Sequence, residues 1–387
     1  MSHDSMLSRQ EDDWEVLQSF LPLGWQEKAR ELWALRRCRK FADAEILLRT
    51  LLIHLADGCS LRETAVRAKQ GQLVSVSDVA LLKRLKGSGE WLRWMASGLM
   101  ENWVSKPPTA FLQQNLRIRM IDSSSIQEPG STGTDWRLHY SIRFPDLQCD
   151  EVYVTSPKVG ESFKLFSVHP GDLFMGDRGF ARRADLSHVV SAGGAVLVRM
   201  HLTALPLLNK DGAPFLLLEH LRGLHGTQLG DWDTSLTYEG KSIPGRVCAL
   251  KKNKRAAEKA RRKARKDAAR KGHQVKPETL EAAGYIVVFT TLHRNVSPTT
   301  LLEMYRGRWQ IELAFKRLKS IMGLGHLKKT DVDAAKAWIH GKLFVAFLIE
   351  ALISEGERFS PWGYPISHDI QTITLPLEGN KPDVAFG

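Results

Sequence analysis

Apolar positions recur at helical spacing through residues ~14–103, in stretches such as 25–35 and 43–55, so the chain opens with a Trp-rich helical block. Within it Ser60 and Glu63 have the S-x-x-E spacing of a capping box, which starts the short helix SLRETAVRAK. A polar turn through Gly71 leads to a second helix capped near Ser77, with Val79, Leu82 and Leu85 inward and Lys83, Arg84 and Lys86 outward. Two short helices with a basic second member have the form of a helix-turn-helix, which ordinary helical bundles share. After the proline-containing linker 106–109 the period changes to two. RIRMIDSSSI sets Ile118, Met120 and Asp122 on one side and Arg119 and Ile121 on the other. DLFMGDRGF reads as a strand ending at Asp177, between Gly176 and Gly179, with a helix over ARRADLSHVVSAG behind it. Farther on, PFLLLEHL, TSLTYEG, GRVCALK and YIVVFTT read as strands.

Residues 301–324, LLEMYRGRWQIELAFKRLKSIMGL, return to the helical period. Met304, Ile311, Phe315, Leu318 and Met322 form the buried stripe. At 100° per residue, Tyr305, Arg308, Glu312 and Lys319 fall at roughly 0°, −60°, −20° and −40°, one polar face within about a 60° arc along ~21 Å of helix. Trp309 points about 70° away from the middle of that face and is expected to pack. Charge pattern alone fits a solvated amphipathic helix equally well.

A length of 387 residues allows two or three domains, and 43% hydrophobic content is enough for a core. The amino terminus is acidic, without the apolar region of a secretory signal, and the longest apolar run, 343–349, is far shorter than a membrane span. A soluble protein with no membrane partner is expected. Cys38, Cys59, Cys149 and Cys248 are scattered without a C-x-x-C pair, which argues against a zinc site or a disulfide framework and suits a reducing cytoplasm. Charge changes the picture more. Residues 251–276 hold thirteen Lys or Arg against Glu258 and Asp267, a balance of +11 in a chain of +12. Ala256, Ala260, Ala264 and Ala268 recur every fourth residue there, so an exposed helix with cations around most of its circumference is expected. A polyanion such as nucleic acid is its natural partner, because clustered cations gain most from releasing phosphate counterions.

Asp122 and Asp177 end strands and Glu312 lies on a helix face. Each aspartate alone is an ordinary turn or cap former. Three hard oxygen donors without Cys or His suit Mg²⁺ or Mn²⁺. Two such ions ~3.5–4 Å apart support in-line phosphoryl transfer, with Arg308 as a bidentate phosphate grip and Lys319 as a point charge on a neighbouring phosphate.

The set Asp122, Asp177, Glu312, with Tyr305-x₂-Arg308-x₃-Glu312-x₆-Lys319, resembles the DDE transposases of bacterial insertion sequences, specifically the insertion-sequence-four family. The similarity includes IDSSSIQEPGSTGTDWRLHY and GDRGF and covers roughly residues 21–319. The resemblance implies an α/β fold: a ribonuclease-H-like catalytic core, with a mixed five-stranded sheet and flanking helices, interrupted by a β-rich insertion and preceded by an N-terminal helical DNA-binding region. The 135 residues between Asp177 and Glu312 leave room for that insertion. It divides the chain into 1–105 (helical, DNA-binding), 110–200 (core, first part), 201–284 (insertion with the basic helix), 285–358 (core, second part) and 359–387 (a short tail). The resemblance further implies two Mg²⁺ ions, or Mn²⁺ in their place, on Asp122, Asp177 and Glu312. Water would hydrolyse a phosphodiester at the element's end, and the freed 3′-hydroxyl would attack target DNA.

Tyr305, Arg308 and Lys319 would hold DNA. Tyr285 would correspond to an aromatic residue on which a related transposase stacks a flipped base, with Trp232 as its alternative; a core tyrosine opening a strand is the plainer expectation for Tyr285. The partners implied are double-stranded DNA, as terminal inverted repeats and target, and a second copy of the chain in a homodimer. The location implied is the cytoplasm, at the nucleoid. The tail beyond residue 360 shows no helical module of the kind through which some relatives dimerise. A non-catalytic DNA-binding descendant or a ribonuclease-H-like nuclease are the alternative functions. Acidic neighbours around Tyr305 disfavour a tyrosine recombinase.

Overall fold

The computed structural model describes residues 14–36, 40–104, 116–127, 130, 135–325, 327 and 330–356. The amino-terminal stretch before residue 14, Cys38, the linker 106–109, part of the run through 128–134 and the tail 359–387 lie outside them. Helices α1 (Trp25–Glu31), α2 (Ala44–Leu55), α3 (Leu61–Gln70), α4 (Asp78–Gly87) and α5 (Gly89–Val104) precede the first strand. The expected caps are present. The Ser60 hydroxyl accepts from the Glu63 N–H at 3.1 Å and the Ser77 hydroxyl from the Ala80 N–H at 3.2 Å. The inward face of α4 differs from the expected one: Leu81 and Leu85 are buried, whereas Val79 is 59% exposed. Capping at Ser77 places Val79 in the first turn, on the side away from the bundle.

One sheet then organises the molecule. Strands β1 (Arg117–Ile126), β2 (Trp136–Phe144), β3 (Cys149–Thr155), β4 (Asp172–Gly176), β5 (Ala195–Arg199), β6 (Leu229–Tyr238), β7 (Lys241–Lys251) and β8 (Tyr285–Thr290) lie in the order β3-β2-β1-β4-β5-β8-β7-β6. Pairing is parallel for β1–β4 and β4–β5 and antiparallel elsewhere. The sheet is mixed, as expected, but larger than five strands: beyond β5 it continues through β8 into β7 and β6 as one eight-stranded sheet. Strand β8 joins the halves, with Val198 opposite Phe289 on one side and Val247 opposite Phe289 on the other. The expected strand PFLLLEHL is instead helix α7 (Leu217–Arg222), with Leu217 and Leu221 buried one turn apart.

Alternation in the central strands feeds two cores. Ile118, Met120, Leu173, Met175 and Leu197 join the core shared with the amino-terminal helices. Ile121, Phe174, Val196 and Val198 join a second core on the opposite face with α6 (Arg183–Ser191) and α7. The chain between β7 and β8 forms α8 (Lys254–Arg270) and α9 (Pro277–Ala282), and after β8 come α10 (Pro298–Gly307), α11 (Trp309–Lys316) and α12 (Val332–Gly356). Helix α12 is long and apolar enough to cross a membrane, but 67% of its apolar window is buried inside the protein, against α5, α4 and α2. Its apolarity is that of a core helix.

One carboxylate inside this core predicts a pH effect. Glu350 on α12 has a buried Oε2 without a hydrogen-bond partner. Burial pushes its carboxyl from the ordinary 4.5 up to about 7, against the pull of Arg317. The folded state thus keeps a proton that the unfolded chain sheds. This group's contribution to stability falls as pH rises from about 4.5 to about 7 and then levels. Glu350→Gln is expected to melt above wild type at pH 8 and close to it at pH 5. An equal difference at both pH values in calorimetry would rule this out.

Candidate active site

Parallel pairing of β1 with β4 brings two aspartates to one edge of the sheet. Met120 pairs with Met175, so Asp122 and Asp177 each emerge two residues farther along. Asp122 Oδ1 accepts from the Ser123 N–H at 2.8 Å. Asp177 caps a single 3₁₀ turn, its Oδ1 accepting from the Gly179 N–H at 2.7 Å. The cap role and the active-site position coincide in one residue. The flanking glycines are there for space: a Cβ on Gly176 would meet Phe163 at 2.8 Å and Phe180 at 2.9 Å, and one on Gly179 would collide with the Glu161 carboxylate.

Helices α10 and α11 supply the rest. Ile311, Phe315, Leu318 and Met304 are buried as their spacing predicts. The expected single helix over 301–324 is interrupted, however. Arg308 N and Ile311 N bond three residues back, tightening the ladder at Gly307–Arg308, and residues Arg317–Ile321 open into a π turn. Arg308 sits at that junction. Its Nη1 donates to Asp122 Oδ2 at 3.3 Å across 186 residues of chain, and its Nη2 donates to Glu312 Oε1. Its guanidinium carbon is 6.0 Å from the Tyr305 ring centroid.

Burial sets the electrostatics. It pushes the Asp122 carboxyl up to about 7 against Arg308 and the Ser123 N–H, with Asp177 and Glu161 adding to the rise. Burial disfavours the Arg308 cation, but Tyr305, Asp122, Glu312 and Asp177 hold its pKa above the usual guanidinium value. Tyr305 is buried with an unpartnered hydroxyl, its phenol raised by burial against Arg308 and Arg199. Burial lowers the Lys319 ammonium.

Asp122, Asp177, Glu312, Arg308 and Tyr305 therefore share one electrostatic site. The expected three-carboxylate metal set is not closed as the side chains stand: among the described residues no three His, Cys, Asp or Glu are arranged to hold an ion. The physical reason is Arg308, whose guanidinium takes the exposed Glu312 carboxylate and one oxygen of Asp122. The donor chemistry still fits a divalent ion, with hard oxygens and a buried carboxylate that lacks full compensation.

Tyr285 is not brought to this site. It opens β8 opposite Lys251 and is 7% exposed in the second core, where its ring packs. Trp232 packs on Phe215 and His220. Trp309, expected to pack, is 51% exposed beside Arg308. Glu161 escaped the sequence reading: its Oε1 accepts from the Ser123 hydroxyl at 2.9 Å, next to Asp122. It lies in a loop without periodicity, which gives no signal.

Comparison with known proteins agrees with this geometry. Residues 161–348 match the family model of the transposase DDE domain. InsL, the transposase named for insertion sequence element IS186A of Escherichia coli (strain K12), is 32% identical over 90% of this chain and 96% of its own length. The transposase for insertion sequence element IS421 of Escherichia coli is likewise 32% identical, over 90% of this chain and 96% of its own. Among solved structures, a piggyBac transposase synaptic complex with hairpin DNA covers 68% of this chain and 52% of its own, at 9% identity and a TM-score of 0.39, too slight a likeness to argue from. With near-complete coverage by its relatives, and with Arg308 bridging Asp122 and Glu312, the chain belongs to the DDE transposases of bacterial insertion sequences, in the insertion-sequence-four family.

Proposed function

We propose that this transposase binds the double-stranded ends of its element and performs both cutting and joining at the corner formed by Asp122, Asp177 and Glu312. Arg308 carries this reading, because one guanidinium bonds to Asp122 on β1 and Glu312 on α11, the residues that the transposase signature pairs. Asp122 and Asp177 would hold two Mg²⁺ ions, or Mn²⁺, with Glu312 as third ligand once Arg308 turns to phosphate. When bound, the ions supply activation of the attacking oxygen and charge stabilisation at the leaving one.

The chain's own residues position the DNA. Arg308 grips the phosphodiester through its planar fork, Lys319 meets a neighbouring phosphate, and the Tyr305 hydroxyl, unpartnered in its buried setting, donates to a phosphate oxygen. A water oxygen attacks phosphorus in line and the P–O3′ bond breaks, leaving a 3′-hydroxyl and a 5′-phosphate. In joining, that 3′-hydroxyl attacks a target phosphate, loses its proton, and displaces the target's own 3′-oxygen.

The order β3-β2-β1-β4-β5 supports a ribonuclease-H-like core in that half of the sheet, with 201–284 as its insertion. The helices before residue 105 would bind the element's end, and two ends imply a homodimer. Chromosomal DNA as substrate places the work in the bacterial cytoplasm. A nuclease with the same acids would stop at hydrolysis. With precut element ends, supercoiled plasmid and Mg²⁺, joined product is expected. Hydrolysis without joining would replace this reading with the nuclease.

A further inference from the structure

We propose that Arg178, Arg199 and Lys252 form a phosphate-binding cluster beside the active site, and that α8 prolongs it, so that DNA backbone runs from the cleavage corner out along the insertion. The inference rests on the DNA-cleaving reading above and adds a path for the DNA. Arg178 follows Asp177, and Arg199 ends β5, which runs parallel to β4. Strand β8 is antiparallel to β5 and β7 is antiparallel to β8, so β7 ends at that same edge and hands the chain to Lys252. The Lys252 ammonium donates to the Ala283 carbonyl at 2.9 Å, which holds it at the root of the α8–α9 excursion. Three cations thus stand at the strand edge that carries Asp122 and Asp177.

Two fully buried guanidiniums are neutralised by carboxylates: Arg119 lies within 4 Å of Asp150, Glu151 and Asp172, and Arg246 is 2.9 Å from Asp231. Among the described residues Arg178, Arg199 and Lys252 form no such pair, and Arg199 Nε is buried without a hydrogen-bond partner. Burial lowers the Lys252 ammonium to about 8, with Arg199 and Arg178 pushing the same way. Arg199 and Lys252 are half-buried cations that repel one another, which raises the free energy of the empty fold, and an anion with several acceptor oxygens removes the repulsion.

Helix α8 continues from there. Its cations cover more than half of the circumference, Lys254, Lys263, Arg265 and Arg270 being exposed as well, and the remaining side is seated. There Ala257 and Ala268 are buried and Arg261 Nε donates to the Leu280 carbonyl. On the other side Arg255, Lys259, Arg262 and Lys266 fall within about a 60° arc and are exposed, and among the described residues none has a carboxylate partner. The stripe is ~17 Å long, the axial length of about five base pairs.

The test is binding of an element-end duplex by the full chain in EDTA, followed by fluorescence anisotropy against NaCl concentration. Each phosphate contact adds about 0.9 to the slope of log affinity on log salt. Arg199→Gln with Lys252→Gln is expected to lower the slope by about 1.8. The fourfold glutamine variant of the stripe should lower it by about 3.6. The charge-keeping pair Arg199→Lys with Lys252→Arg should retain the wild-type slope. Because repulsion is relieved, the Arg199→Gln/Lys252→Gln protein is expected to melt no lower than wild type. Unchanged slopes in both neutralised proteins, or an unchanged slope with a lower melting temperature, would overturn the proposal. If wild type itself fails to bind the duplex, the DNA-cleaving reading fails instead.

Discussion

Asp122→Asn is expected to reduce both cleavage and strand transfer about a thousandfold while binding of the element end survives. Asn keeps the volume, and its amide oxygen can still accept from the Ser123 N–H that holds Asp122 at 2.8 Å. What it removes is the negative charge at the strand end. Charge stabilisation by a bound divalent ion is worth several kcal/mol, and about 4 kcal/mol corresponds to a factor of about a thousand in rate. Binding should hold because it draws on cations elsewhere, and a carboxylate facing phosphates is gone. Arg308 also loses one anionic partner in the metal-free protein and keeps Glu312. The check is a paired measurement: anisotropy with the end duplex in EDTA, and gel-resolved cleavage in Mg²⁺. Near wild-type cutting by Asp122→Asn would remove Asp122 from the metal set. Lost binding would recast it as a structural residue. Strand transfer from precut ends should fall in parallel with cleavage, since one set of carboxylates serves both steps.

Much of this site was legible because its parts sit in regular elements. Alternation along RIRMIDSSSI placed Asp122 on the Ile118–Met120 side of β1, and those two residues do share a core. The wheel over 301–324 put Arg308 and Glu312 on one face, and they are paired. The wheel erred where the helix is not ideal. Tightening at Gly307–Arg308 and the π turn at Arg317–Ile321 change the angular increment, and Trp309 at the junction faces solvent. PFLLLEHL has too little length for periodicity to choose between strand and helix. The burial of Leu217 and Leu221 with Leu216 at 53% exposure shows the 3.6 period that the letters alone conceal. Sheet continuity was hidden for another reason: β8 belongs to both halves, and pairing between distant strands leaves no local mark. The same holds for the Arg308–Asp122 bond. Nothing near either residue announces a partner 186 positions away.

Arg119→Ala should be the most destabilising single change on β1, by about 3–5 kcal/mol. The Arg119 side chain is 3% exposed and points to the face opposite Asp122. Its Nε lies 2.7 Å from Asp150 as an ion pair without hydrogen-bond geometry, its Nη2 3.1 Å from Glu151 and its Nη1 3.5 Å from Asp172. It also donates to the Ser167 carbonyl and stacks 4.9 Å from the Phe174 ring centroid. One planar cation thus ties β1 to β4 and to the strand β3 that carries two of the acids. Truncation leaves buried carboxylates, among them the fully buried Asp172, with Arg117 as its remaining ion-pair partner. Arg119→Lys restores a charge but a single ammonium cannot meet three carboxylates in a plane, so it should recover part of the loss. The urea midpoint is the readout, taken with the slope unchanged. A midpoint equal to wild type in Arg119→Ala would mean that the network contributes nothing. The contrast with Arg199 is the sharper test of how this chain uses buried cations. Both are arginines of central strands, yet Arg119 is paired three times and Arg199 forms no ion pair among the described residues. Loss of Arg119 should lower stability; loss of Arg199 should lower the salt dependence of DNA binding and leave stability intact.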